Sequence, residues 1–107
     1  MNMRITKGAR QYGYLIWNSR MDADIETMLS GLAVVNVCFN GFNLGTKNID
    51  RKYHRISLGY KLTRALPKEH DTFSVSYVDG VLEVRSFDGR KKTIFSESCY
   101  SCCSRKG

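Results

Sequence analysis

Along most of this chain hydrophobic and polar residues alternate with the two-residue period of a half-buried strand, and only two stretches repeat at helical spacing. The first strand signal is Tyr12 to Trp17, YGYLIW, rich in aromatic and β-branched residues and stopped at Asn18. A helix is predicted to follow. Ser19 with Asp22 three residues on resembles a capping box with Asp in place of Glu, Met21, Ile25, Met28 and Leu29 share one face, and Gly31 ends the run. Asp22, Asp24 and Glu26 fall in its early turns, where negative charge suits the positive end of the helix dipole.

Val35, Val37 and Phe39 then alternate up to Asn40-Gly41, and Phe42 and Leu44 alternate after it. Asn and Gly both tolerate the positive φ of a type I′ turn, so this stretch predicts an antiparallel hairpin. Cys38, inside its first strand, reads as a small packed residue. Ile56 and Leu58 mark a short strand, and Leu62 and Leu66, four apart, mark a helix of about two turns closed by Pro67. Phe73, Val75 and Tyr77, then Asp79-Gly80, then Leu82 and Val84, and finally Asp88-Gly89 before a run to Phe95 predict a three-strand meander. The expected fold is α+β and mostly β: a small antiparallel sheet or barrel-like domain with two short helices.

A chain of 107 residues, 42% of them hydrophobic, suits one compact domain, placed here at residues 1 to 97, with 98 to 107 a flexible Cys-rich tail. A domain this small buries a limited share of its surface, which makes a homodimer an expectation. No apolar run approaches the roughly 18 residues of a membrane span, and the N-terminus lacks an apolar signal core. These features read as a cytoplasmic protein with no membrane partner.

Charge sharpens the picture. The net charge is +7, and residues 47 to 68 hold +6 of it: Lys47, Arg51, Lys52, Arg55, Lys61, Arg64 and Lys68 stand against Asp50 alone. A single-sign field on one stretch attracts polyanions, so nucleic acid is the first candidate partner, with a solvated, solubilising face as the plain alternative.

The stretch NIDRKYHRISLGYKLTRALPKEHDTFSVSYVDGVLEVRS runs strand, basic turn, short strand, short basic helix, strand, Asp-Gly turn, strand. In that order it resembles the swapped-hairpin DNA-binding family that includes AbrB, MazE and MraZ. Asp50, Arg55-Ile56-Ser57-Leu58, Leu62-Thr63-Arg64-Ala65-Leu66 and the Asp79-Gly80 hairpin stand at the family's places, within residues 42 to 87, and residues 1 to 41 form an added strand-helix-strand. Gly59 replaces the family's Pro, and the turn Arg51 to His54 is longer and more basic than usual. The resemblance implies a swapped-hairpin homodimer on duplex DNA, acting as a transcriptional regulator or antitoxin-like repressor. By position it assigns the contacts to Arg51, Lys52, His54 and Arg55, with Lys61 and Arg64 flanking them. Lys47 joins this set by charge, and Tyr53 as a residue able to stack on a base or sugar.

Two other binding classes fit the same charge. One is a protein-binding inhibitor module of phage or mobile-element type whose basic face blocks a nucleic-acid channel or an acidic patch. The other is an RNA-binding β-domain using Tyr12, Tyr14 and Trp17 as a stacking platform. Cys99, Cys102 and Cys103 contain a C-x-x-C step that would need His54, His70 or a dimer mate to complete a zinc site. Structural zinc usually uses two such knuckles and only one is present, so no metal or other cofactor is expected. No enzyme is expected either. Asp79 and Glu83 with Arg85 faintly match a carboxylate nuclease pattern, but Asp79-Gly80 is already explained as a turn.

Overall fold

The computed structural model describes residues 1 to 90. Seven strands, β1 (Asn2–Arg4), β2 (Tyr14–Ile16), β3 (Val34–Phe39), β4 (Phe42–Asp50), β5 (Arg55–Ser57), β6 (Thr72–Val78) and β7 (Val81–Phe87), are joined by helices α1 (Lys7–Tyr12), α2 (Asp22–Leu29) and α3 (Tyr60–Arg64). The strand order is β1-β6-β7-β3-β4-β5-β2, a mixed sheet curled into a half-barrel. All neighbours run antiparallel except β3 and β7, which are parallel.

Two of the three predicted tight turns form hairpins among the described residues. Asn40 (φ 48°) and Gly41 (φ 89°) connect β3 to β4 with Phe39 opposite Phe42, and Asp79 (φ 52°) and Gly80 (φ 80°) connect β6 to β7 with Val78 opposite Val81. Alternation then decides the faces. Val35, Val37 and Phe39, Phe73 and Val75, and Leu82 and Val84 point into one core with Leu15, Ile56 and Leu58, and Phe39 meets Phe73 edge-on. Helix α2 adds Ile25 and Leu29, one turn apart on its buried face.

The long strand β4 belongs to both halves of the sheet. Its first part pairs with β3, and Ile49 and Asp50 pair with β5. A register shift at Val37/Cys38, opposite Gly45 with its φ of 76°, interrupts the β3–β4 ladder within its first part. Strand β2 then pairs with β5, Tyr14 opposite Ser57 and Leu15 opposite Ile56. That pairing places the aromatic N-terminal segment against the basic stretch.

Several elements depart from the sequence reading. The strand predicted from Tyr12 begins at Tyr14, because Tyr12 closes α1 and Gly13 follows in the left-handed region at φ 80°. Helix α1 and strand β1 were not predicted; each is too short to show a period, and α1 depends on the Thr6 hydroxyl accepting from the N–H of Ala9. The expected capping box does not form. Asn18 caps a 3-10 turn over Ser19–Met21, and the Asp22 carboxylate is engaged elsewhere. Helix α3 is one short turn, with Leu62 and Leu66 half-buried as the spacing implied. The third meander strand lies mostly outside the described residues, and β7 already pairs with β6 on one side and β3 on the other.

Candidate nucleic-acid interface

The basic turn is built on Asp50. Its Oδ1 accepts the backbone N–H of Tyr53 at 3.0 Å, and His54, at φ 55°, redirects the chain into β5. Two of the predicted contact residues are turned inward by this geometry. Arg51 binds the carboxylate of Glu26 through Nε and Nη2, and donates to the carbonyls of Leu29 (3.0 Å), the last residue of α2, and of Leu32 (2.6 Å) beyond it. The hydrogen bond to Glu26 holds the guanidinium's pKa above its ordinary value, against an opposing push from burial. Arg51 therefore caps α2 and complements the negative end of its dipole. His54 Nδ1 lies 2.9 Å from Asp22 Oδ1, which also accepts the indole N–H of Trp17 at 2.9 Å, and the two rings meet edge-on. Trp17, only 4% exposed, is thus a core residue and leaves the stacking platform proposed from the sequence.

Of the remaining predicted residues Lys52, Tyr53, Lys61 and Arg64 are exposed, and Lys47 and Arg55 are half-buried. Tyr53 is 57% exposed, with the Lys52 ammonium 5.4 Å from its ring centroid and the Arg55 guanidinium at 5.0 Å. Arg55 also lies 4.3 Å from the ring centroid of Tyr14 on β2 and 3.6 Å from Asp50 Oδ2. The result is a chain of alternating cations and rings, Lys52, Tyr53, Arg55, Tyr14. Beside it opens a hollow of about 270 Å³ lined by Tyr14, Thr46, Lys47, Asn48, Asp50, Arg55 and Ser57.

Lys61 and Arg64 lie on α3, in a neighbouring region. Arg64 donates to the carbonyl of Gln11 at 3.0 Å and sits 4.9 Å from the ring of Tyr60; with Gln11, Tyr12 and Tyr60 it lines a second hollow of about 340 Å³. The two hollows flank the point where α1 meets the start of α3. There the Gly13 carbonyl accepts from the N–H groups of Leu58 (2.6 Å) and Gly59 (3.0 Å). A Cβ on Gly13 would stand 2.2 Å from the Tyr60 nitrogen, so this close approach requires glycine.

The sequence reading named the cations of this face but not Asn48, Asp50 and Ser57 as wall residues or Tyr60 as a ring beside Arg64. The alternation of Tyr14 with buried Leu15 marked Tyr14 as outward-facing, but nothing local could indicate that β2 pairs with β5. A polar cluster also escaped it. Ser86 Oγ lies 2.7 Å from His70 Nδ1 and accepts from Asn40 Nδ2 at 3.0 Å, while the Ser86 N–H donates to Asn40 Oδ1 at 2.9 Å. These bonds tie the tip of the first hairpin to the end of β7. Among the described residues no group of three or more His, Cys, Asp or Glu could hold a metal ion. Cys99, Cys102 and Cys103 lie outside the described residues. Asp79 occupies its turn and Glu83 is buried on β7.

Fold and site together define a small α+β domain with a curled mixed sheet and a basic, aromatic face around the β2–β5 edge. No protein-family profile, curated protein or solved structure matches the chain.

Proposed function

We propose that this protein binds nucleic acid through the face formed by Lys47, Lys52, Tyr53, Arg55 and Tyr14, extended by Tyr12, Tyr60, Lys61 and Arg64, and that it prefers single strands. The observation that carries this reading is the sequence of stacked cations and rings beside an open hollow. Lysines supply phosphate contacts whose strength falls with salt, and exposed rings supply stacking surfaces that a duplex, with its bases already stacked, cannot use. The inward turning of Arg51 and His54 weakens the alternative of a turn reading a groove, because two of its four polar contacts are spent within the fold.

Duplex DNA binding by a transcriptional regulator is the second reading, supported by the charge excess of residues 47 to 68 and by the strand-turn-strand-helix order. In a single chain the β6–β7 hairpin is already flanked by β1 and β3, so hairpin exchange is not needed to complete the sheet. Fluorescence anisotropy titrations with labelled single-stranded and duplex oligonucleotides at stepped salt concentrations test both. Tighter binding of the single strand, weakening with salt, is the expected result. A duplex preference would favour the regulator, and no binding of either at low salt by folded protein would refute both.

A further inference from the structure

Resting on the single-strand reading, we infer that the hollow between β2, β4 and β5 selects an unpaired guanine. Its size comes first. At about 270 Å³ it falls just below the range of roughly 300 to 1,000 Å³ typical of small-molecule sites, which suits one planar ring inserted from a strand held by the surrounding lysines. The wall chemistry comes second. Tyr14 and Arg55 offer flat surfaces, Lys47 offers a cation with no ion pair among the described residues, and Asn48 and Ser57 offer side-chain polar groups with no hydrogen-bond partner among them.

Asp50 sets the choice of base. A carboxylate beside a polyanion repels phosphate, and this one is the single acid among seven cations in residues 47 to 68. Its Oδ1 accepts the Tyr53 N–H at 3.0 Å and, as a carboxylate oxygen, keeps a second acceptor site. Its Oδ2 is 3.6 Å from Arg55 Nε, beyond a good hydrogen bond, and keeps acceptor capacity while Asp50 lines the hollow. The group that such a carboxylate recognises is a pair of adjacent N–H donors. On unpaired bases the Watson–Crick edge of guanine, with N1–H and the N2 amino group, is the edge that presents two donors side by side. Adenine and cytosine each present one donor next to an acceptor, and the acceptor would face the carboxylate. Uracil and thymine present one donor between two acceptors.

The test compares short single-stranded oligonucleotides of identical flanking sequence that carry guanine, inosine, adenine or uracil at one central position, in DNA and RNA backbones, by anisotropy with the wild-type protein. Guanine is expected to bind about tenfold tighter than inosine, which lacks only the N2 amino group, and tighter still than adenine or uracil. Asp50→Asn, which keeps an oxygen for the Tyr53 N–H, is expected to erase the guanine preference. A thermal melt confirms that this variant is folded. Equal affinity for guanine and inosine, or a preference that survives in folded Asp50→Asn, would overturn the guanine assignment alone. Failure of every oligonucleotide to bind would overturn the underlying single-strand reading.

Discussion

Arg51 holds Glu26 across 25 positions of sequence, its guanidinium meeting both carboxylate oxygens and reaching past them to the carbonyls of Leu29, the last residue of α2, and of Leu32 beyond it. The most basic turn of the chain thus gives up one of its cations to terminate a helix. Replacing Arg51 with Ala should cost about 1 to 2 kcal/mol, since hydrogen bonds from a charged donor to the carbonyls are lost while the partly exposed ion pair counts for little. For a domain of this size that is a fall of roughly 5 to 10 °C in melting temperature. Arg51→Lys should recover only part of it, because an ammonium lacks the planar fork that reaches Glu26 and two carbonyls together. Thermal and urea melts of the three proteins check this.

Lys52, Tyr53 and Lys47 should behave in the opposite way. Lys52 and Tyr53 are exposed, so Lys52→Ala and Tyr53→Ala should leave stability within about 0.5 kcal/mol of the wild type, and Lys47→Ala, at a half-buried position, should cost slightly more. Tyr53→Ala should weaken single-strand binding by about 1 to 3 kcal/mol if a base stacks on it. Each lysine variant should instead lower the steepness of the salt dependence by about 0.7 per phosphate contact removed. Unchanged affinity in all three would remove the basic, aromatic face as the binding surface.

Glycine positions separate crowding from conformation. Gly13→Ala must place a Cβ into the backbone of Gly59 and Tyr60 as well as strain a φ of 80°, so it should cost about 3 kcal/mol or more. Gly45→Ala faces open space at φ 76°, and its cost should stay near 1 to 2 kcal/mol. Comparison of denaturation midpoints decides it, and equal losses would show that the close approach at Gly13 is not a tight contact.

Acid should loosen the place where β6 starts and β7 finishes. The Asp71 carboxylate accepts from the backbone N–H of Gly89 and from the Thr72 hydroxyl, and these hydrogen bonds hold its pKa below the ordinary value. Asp88 is lowered too, first by the backbone N–H of Arg90 and then by its side chain. A depressed folded-state pKa means that the unfolded chain takes up the proton first. The stabilisation is complete above the unfolded-state carboxylate pKa of about 3.9 and is lost as pH falls through the folded values. Asp71→Asn should therefore reduce stability near neutral pH and flatten the acid limb of the stability profile. Melts across that limb, with the Gly89 amide followed by hydrogen exchange, provide the measurement.

The hairpins were legible because their causes are local. Asn40-Gly41 and Asp79-Gly80 specify positive φ by themselves, and alternation fixed which of Val35, Val37, Phe73, Val75, Leu82 and Val84 would be buried. The helix stripe of Ile25 and Leu29 was legible for the same reason. Helix α1 was not, because its single turn has no period and is held by a Thr6 cap and by packing against α3.

The sequence by itself determined the mostly β composition of the fold, its tight turns and the concentration of positive charge between Lys47 and Lys68. Only the tertiary structure decided which of those charges meet solvent. Net charge adds up along a chain, but the partner of each cation is set by segments far apart: Glu26 and the end of α2 for Arg51, Tyr14 on the neighbouring strand for Arg55, Gln11 for Arg64. Tyr14 comes within reach of Arg55 only because the curled sheet brings β2 beside β5, a long-range pairing that no local pattern encodes.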